Sequence, residues 1–115
     1  MIDIEQRDIV LAPFPFTDLS TTKNRPILIV SNNNINKNKS ILDFIGLAVT
    51  SKIRFTSYTV QIDTPDLETG FLPKQSEIHC DKIATIEKKF ASKWLGRLNK
   101  TTFSIVKSKL AEVFK

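Results

Sequence analysis

Short apolar runs and alternating stretches divide most of the chain into five predicted strands. These strands are Asp8–Phe14, Pro26–Val30, Ile41–Thr50, Ser57–Asp63 and Ser76–Ile86. The run from Pro26 to Val30 is continuously aliphatic, as expected of a central strand that is covered on both faces. The last strand changes its apolar phase near Asp81, which predicts a bend or a bulge there.

The segments between these strands carry loop and turn signals. Residues 17–24 form a polar stretch, and residues 31–40 are rich in Asn and Lys, which predicts a solvated, mobile connection. Residues 64–74 are rich in turn residues. Asp63 and Asp66 lie beside them, and we expect these carboxylates to shape the turn.

The carboxyl-terminal segment has the pattern of one amphipathic helix. Asn99 is a candidate N-cap for a helix that begins near Lys100. Helical spacing places five apolar residues on one face, namely Phe103, Val106, Leu110, Val113 and Phe114. We therefore expect a mainly β fold, a small antiparallel barrel-like sheet with a C-terminal helix packed on it, in a single domain over residues 1–115.

The amino-acid composition indicates the class of protein and its cellular location. The apolar and charged fractions, 41% and 25%, are typical of a soluble globular protein. Cys80 is the only cysteine and His79 the only histidine, which excludes an internal disulfide and the usual zinc sites within one chain. The first residues are polar and do not resemble a signal peptide, and no apolar run is long enough to span a membrane. We expect a cytoplasmic protein without a cofactor; the acidic residues are scattered, and a two-metal carboxylate centre is left open by composition alone.

The net charge of +5 is unevenly distributed. Residues 82–115 contain nine Lys or Arg against two Glu, a balance of +7, whereas residues 1–81 contain eight basic and ten acidic side chains, a balance of −2. A basic carboxyl-terminal third is typical of proteins that bind a polyanion or an acidic protein. The alternative is that these lysines only keep a helix soluble.

The sequence lacks the motifs of several classes of enzyme. The chain has no glycine-rich phosphate loop, no dinucleotide fingerprint and no zinc-protease motif. One histidine also excludes a nuclease that uses two histidines of the same chain as acid and base. By strand alternation we expect His79 to share a solvated face with Glu77 and Asp81, and Cys80 to be a small core residue.

The remaining candidates for chemistry are Arg25, Thr50, Ser51 and Lys52. Arg25 precedes a proline, which favours extended backbone. If Thr50 ends the strand that pairs with Pro26–Val30, its hydroxyl lies near the Arg25 guanidinium. A fork of N–H donors beside a hydroxyl suits a phosphate group. The alternative is an ordinary charge at a strand edge.

Four segments in register resemble the MazF/PemK toxins of bacterial type II toxin–antitoxin modules. They are D-I-V-L-A-P-F-P-F-T-D-L-S, N-R-P-I-L-I-V-S, A-V-T-S-K and L-P-K-Q-S-E-I-H-C-D-K-I-A-T-I, followed by the similar ending L-G-R-L-N-K-T-T-F-S-I-V-K-S-K-L-A-E-V-F. The resemblance extends from Asp8 to Phe114. Two features depart from it: Arg7 stands where glycine is common, which indicates a different turn or an added phosphate contact, and residues 17–24 form a shorter loop without glycine.

The resemblance implies a small SH3-like barrel of the MazF/CcdB type and a homodimer. It further implies a metal-independent, sequence-specific endoribonuclease that cleaves single-stranded RNA, with mRNA as the substrate. Its catalytic residues would be Arg25 and Thr50. The residues expected to contact RNA are Phe16, Thr17, Ser20, Lys23, Ser51, Lys52 and Ser76. An acidic cognate antitoxin would occupy the same groove.

In this mechanism the RNA 2′-hydroxyl attacks the adjacent phosphorus, which gives a 2′,3′-cyclic phosphate and a 5′-hydroxyl.

Two alternative functions are compatible with the same fold. A non-catalytic poison of DNA gyrase like CcdB would depend on exposed residues such as Trp94 or Phe114, which otherwise serve core or dimer packing. An RNA-binding module without catalysis would stack bases on Phe14, Phe16 or Phe55, although we expect Phe14 to close the barrel.

Overall fold

The computed structural model describes residues 1–15 and 23–115. The described residues form seven antiparallel strands, with one long helix at the end of the chain. In chain order the elements are β1 (Asp8–Pro13), β2 (Asn24–Ile29), α1 (Asn33–Asn36), β3 (Asp43–Thr50), β4 (Thr59–Ile62), β5 (Leu67–Gly70), β6 (Ser76–Glu87), β7 (Lys93–Leu98) and α2 (Lys100–Val113).

The seven strands form one sheet in the order β4-β6-β3-β2-β1-β7-β5. Its two edge strands, β4 and β5, are joined by residues 63–66 alone. In a flat sheet of seven strands the edges would lie about 29 Å apart, whereas the link from Ile62 to Leu67 spans at most about 17 Å. The sheet therefore curls strongly, although the strand pairing leaves β4 and β5 as open edges. The predicted fold class is confirmed, with a curled sheet in place of a closed barrel.

Both faces of the sheet are buried. Leu28 of β2 packs on one face with Phe103 and Val106 of α2. Its neighbours Ile27 and Ile29 pack on the other face, against Phe14, Phe44 and other apolar side chains. The prediction that this aliphatic run is a central strand covered on both faces is therefore confirmed.

Strand β6 contains the irregularity that was predicted near Asp81. Leu47 of β3 pairs with Ile83, but the next residue, Ala48, pairs with His79. Residues 80–82 are thus inserted on the β6 side as a wide bulge. The bulge lets the first half of β6 pair with both β3 and β4 near the groove described below.

Strands β5 and β7 were not among the five predicted strands. Both are short, and they cross at a pair of glycines, Gly70 and Gly96. A Cβ atom on Gly70 would lie 2.3 Å from the Gly96 Cα, and Gly70 has a φ of +100°, so the close backbone approach requires glycine. Glycine is depleted in strands, and residues 64–74, which contain Gly70, were predicted as turns, whereas no element was predicted over β7.

The connection between β2 and β3 is more ordered than its composition suggests. Asn32 caps the short helix α1 by accepting a hydrogen bond from the Ile35 N–H. Ser31 and Asn36 are buried, and the Asn36 amide donates to the Ser31 carbonyl at 2.8 Å. The prediction of a solvated connection is wrong at these two positions.

The other predicted turn and cap are present. Asp63 and Asp66 form a reciprocal capping box around a 3-10 turn, which confirms their structural role. Asn99 caps α2 by accepting from the Thr102 N–H at 2.8 Å. Phe103 and Val106 are buried and Leu110 and Val113 pack against them, whereas Phe114 is 73% exposed and does not belong to the apolar face. Among the described residues, none of the helices is long and apolar enough to cross a membrane.

Candidate functional site

A groove of about 370 Å³ lies where β2 begins, β3 ends and β6 begins. Four of the predicted site residues line it, namely Arg25, Thr50, Ser51 and Ser76. The other described lining residues are Leu11, Pro26, Val49, Leu72, Pro73, Lys74 and Leu95. The groove thus has an apolar floor with hydroxyl and cationic groups around it.

The strand register aligns Arg25 with Thr50. Strands β2 and β3 pair from Ile29↔Gly46 to Ile27↔Ala48. Continued by two residues, this antiparallel register places Arg25 opposite Thr50, and opposite residues have Cβ atoms about 5 Å apart on the same face. Arg25 is held on its other side by pairing with Ala12 of β1. The expected pairing of these two strands is confirmed.

The Thr50 hydroxyl is oriented by the turn that follows it. Its Oγ1 accepts a hydrogen bond from the Lys52 N–H at 3.1 Å. A hydroxyl that accepts in this way keeps its own hydrogen for donation to a second group. Ser76 is buried at the start of β6, and its hydroxyl donates to the Lys74 carbonyl at 3.0 Å. Thr50 is therefore the better placed of the two hydroxyls to donate to a group in the groove.

The charged side chains among the described lining residues of the groove are positive. Arg25 and Lys74 are the charged groups among its described lining residues, and no carboxylate is among them. A concave site with cations and hydroxyl donors favours an anionic ligand. The sequence analysis missed Lys74, although its position directly before Gln75 and Ser76 at the start of β6 is the signal that could have identified it.

The remaining residues that were predicted to contact RNA either do not line the described part of the groove or lie outside the described residues. Lys23 and Lys52 are exposed and are not among the described residues that line the groove. Lys52 nevertheless contributes through its backbone, which fixes the Thr50 hydroxyl. Phe16, Thr17 and Ser20 lie outside the described residues.

The prediction for His79 and Glu77 is wrong, because both are buried. His79 is 7% exposed and Glu77 is fully enclosed, whereas Asp81, on the same predicted face, is exposed. The reason is that this half of β6 is flanked by β3 and β4 and is covered by residues 51–58. Alternation correctly placed Glu77 and His79 on one face but could not show that a loop covers it.

The Glu77 carboxylate is surrounded by donors. Its oxygens accept from the Arg54 N–H at 3.1 Å, the Phe55 N–H at 3.0 Å and the Gln61 Nε2 at 2.8 Å. His79 Nε2 lies 3.0 Å from Glu77 Oε1, within ion-pair distance but without hydrogen-bond geometry. Burial raises the pKa of Glu77, but the bonds from Phe55, Gln61 and Arg54 and the nearby His79 outweigh burial and hold the pKa below its usual value.

Cys80 is buried among core side chains, as predicted. Burial, followed by the negative charge of Asp81, raises the pKa of its thiol to about 11. The thiol is thus protonated at neutral pH and is a poor nucleophile.

The aromatic residues named for the alternative functions separate into buried and exposed groups. Phe14 is 4% exposed and packs in the core, as expected. Trp94 is 39% exposed and Phe114 is 73% exposed, so neither is buried in the core of the single chain, and packing in a dimer stays a prediction for both. Phe55 is 74% exposed and has a left-handed backbone, with a φ of +53°.

Arg7, which stands where a glycine was expected by resemblance, has a φ of +80°. This left-handed conformation favours glycine, so the turn is made here by a residue under backbone strain. The Arg7 guanidinium donates to the Leu98 carbonyl at 2.9 Å and to Glu68 at 3.1 Å. These contacts attach the turn to β5 and to the end of β7.

Comparison with known proteins identifies a family that matches this chain. The family model described as "PemK-like, MazF-like toxin of type II toxin-antitoxin system" matches residues 5–114. No curated protein sequence matches the chain.

Solved structures share the fold at low sequence identity. An endoribonuclease from a mycobacterial species is 23% identical, with a TM-score of 0.76 over 99% of this chain and 93% of that chain. A mycobacterial endoribonuclease in complex with its cognate antitoxin is 22% identical, with a TM-score of 0.77 over 96% and 94% of the two chains. MazF from Deinococcus radiodurans is 16% identical, with a TM-score of 0.76 over 99% and 98%.

Proposed function

The chain belongs to the PemK-like, MazF-like toxins of type II toxin–antitoxin systems, and we propose that it is an endoribonuclease that cleaves single-stranded RNA in the groove between β2, β3 and β6. The observation that carries this proposal is the strand register that aligns Arg25 with Thr50 at a groove where the charged side chains among the described lining residues are positive. Solved structures named as endoribonucleases share the fold and are consistent with it.

The reaction uses the RNA's own nucleophile. The 2′-oxygen forms a bond to the adjacent phosphorus and loses its proton to water, while the bond from phosphorus to the 5′-oxygen breaks and that oxygen takes a proton from water. The products are a 2′,3′-cyclic phosphate and a 5′-hydroxyl. Negative charge builds on the non-bridging oxygens, where the Arg25 guanidinium and the Thr50 hydroxyl donate hydrogen bonds.

Arg25 acts as an electrostatic stabiliser, and its guanidinium donates a hydrogen bond to the leaving oxygen. A guanidinium stays protonated at neutral pH and does not act as a general base. Its fork of donors can hold two phosphate oxygens at once, which also fixes the phosphorus relative to Thr50. No step needs a metal ion. Because the nucleophile is the 2′-hydroxyl, DNA is not a substrate.

We assign the groove a second occupant, an acidic antitoxin segment that competes with RNA. Neighbouring solved structures hold complexes of an endoribonuclease with its cognate antitoxin and of MazE with MazF. In this chain the cations Arg25 and Lys74 at the groove, together with the balance of +7 over residues 82–115, suit an acidic peptide as well as RNA. We expect the protein to act in the cytoplasm as a homodimer, as the resemblance implies.

The test is incubation of the purified protein with several long single-stranded RNAs of diverse sequence in the presence of EDTA. We expect discrete fragments that end in cyclic phosphate and begin with a 5′-hydroxyl. Arg25→Ala should lower the rate by on the order of a hundredfold or more, since it removes a preorganised donor to the developing charge. A DNA oligonucleotide of the cleaved sequence is the control.

Two results would contradict the proposal: equal cleavage of the DNA, or intact RNA in every case. The second would favour a poison that binds without catalysis, the alternative supported by the exposure of Trp94 and Phe114. Inhibition of DNA supercoiling by gyrase, lost on Trp94→Ala or Phe114→Ala, would then identify that function.

A further inference from the structure

A buried carboxylate lies directly beside the residues assigned to the reaction. Glu77 is fully buried on β6, where it pairs with Thr50 of β3 on one side and Gln61 of β4 on the other. It immediately follows Ser76, which lines the groove. A charged side chain in a central strand is costly unless hydrogen bonds compensate it, so its partners indicate what it does.

Those partners belong mainly to the loop that follows Thr50. Residues 51–58, here called the 51–58 loop, connect β3 to β4. The N–H groups of Arg54 and Phe55 both point at the Glu77 carboxylate, at 3.0 to 3.1 Å. Two successive N–H groups that converge on one anion form a concave backbone site, and the left-handed φ of Phe55 turns the chain immediately after it.

The strain and the exposure of Phe55 are explained by this anchor. A left-handed phenylalanine is unfavourable by itself and persists when its surroundings hold it. With its N–H turned inward to Glu77, its ring is 74% exposed, and Arg54 is exposed as well. An aromatic face beside a guanidinium is a surface on which nucleobases stack and to which phosphates bind.

We propose that Glu77 is a positioning residue that holds the 51–58 loop beside the groove, so that Phe55 and Arg54 contact RNA bound there. The inference has two parts. The first, that Glu77 holds the 51–58 loop, is called the loop half and rests on the geometry around Glu77 alone. The second, that the loop contacts RNA, is called the RNA half and rests on the proposed function. The other end of the loop is held independently, since Thr59 Oγ1 accepts from the Thr56 N–H at 3.0 Å and Lys109 Nζ donates to the Ser57 carbonyl at 2.9 Å.

The loop half is tested by amide hydrogen exchange, with Glu77→Gln and a matched control. Gln has the same shape but presents an NH₂ group to some of the N–H donors, so it cannot accept all of them. We expect the Arg54 and Phe55 amides to be protected in the wild type and to exchange at least tenfold faster in Glu77→Gln. Glu87→Gln, an exposed glutamate on the same strand, should leave them unchanged.

Unprotected Arg54 and Phe55 amides in the wild type would overturn the loop half without any variant. Equal protection in Glu77→Gln would overturn it as well.

The RNA half is tested by steady-state cleavage of an RNA oligonucleotide carrying a sequence that the wild type cuts. Glu77→Gln should raise KM on the order of tenfold, equivalent to the loss of about one charge-assisted hydrogen bond, with a smaller change in kcat. Phe55→Ala, which changes an exposed side chain and need not disturb folding, should also raise KM while the Arg54 amide stays protected.

A fall in kcat at unchanged KM for Glu77→Gln would indicate only a loss of folded enzyme and would overturn the RNA half. The same holds if Phe55→Ala leaves KM unchanged. If the wild type cleaves no RNA, the proposed function fails and the RNA half fails with it, whereas the exchange measurement still decides whether Glu77 fixes the loop.

Discussion

At the residue scale, the Thr50 hydroxyl shows whether Thr50 takes part in the reaction or only packs in its strand. Its Oγ1 already accepts from the Lys52 N–H, so its remaining function in the groove is to donate. Thr50→Val keeps the branched shape and removes that donor. We expect a loss of kcat of on the order of a hundredfold with RNA binding nearly unchanged, because the bond strengthens only as charge develops on the phosphate.

Thr50→Ser is the matched control, since it restores the hydroxyl and should recover activity to within about tenfold. Single-turnover cleavage and RNA binding by fluorescence anisotropy measure the two quantities separately. If Thr50→Val were as active as the wild type, Thr50 would be a strand residue without a catalytic role.

Helix α2 illustrates at the element scale how a side chain can fix where an element begins. Asn99 Oδ1 accepts from the Thr102 N–H, and Phe103 and Val106 of the first two turns are buried in the core. Asn99→Ala should therefore lower the free energy of unfolding by about 1 kcal/mol, measured by urea denaturation. Asn99→Ser keeps a capping oxygen and should restore most of it; equal stability of the wild type and Asn99→Ala would contradict the capping role.

The sequence predicted elements whose signal is local. The aliphatic run of β2, the phase change in β6 and the capped, periodic helix α2 each appear in the structure because their pattern matches their own burial. Strands β5 and β7 were missed because their pairing depends on the close approach of Gly70 and Gly96, which is a tertiary contact. At the candidate site, too, local features were predictable and features that depend on tertiary contacts were not. The alignment of Arg25 with Thr50 follows from one strand pairing, whereas the burial of Glu77 depends on a distant loop.

At the scale of the whole molecule, charges are arranged differently around β1 and at the groove. Around β1, acidic side chains pair with arginines: Arg97 binds Asp8 at 2.8 Å and Glu5 at 2.6 Å, and Arg7 binds Glu68 at 3.1 Å. At the groove, the charged side chains among the described lining residues are those of Arg25 and Lys74. Positive charge therefore lies where we place the RNA.

RNA binding should accordingly weaken as salt rises, since each neutralised phosphate releases counterions. For single-stranded RNA the slope of log K against log salt is about −0.7 for each phosphate contacted. Lys74→Ala should make this slope less negative by about 0.7, measured by anisotropy with an RNA whose cleavage site carries a 2′-deoxy substitution. Lys39→Ala is the matched control, because Lys39 is exposed and lines a separate depression with Ile41 and Leu42. An unchanged slope in Lys74→Ala would place the phosphates away from Lys74, and an equal change in both variants would show that net charge, not the groove, governs binding.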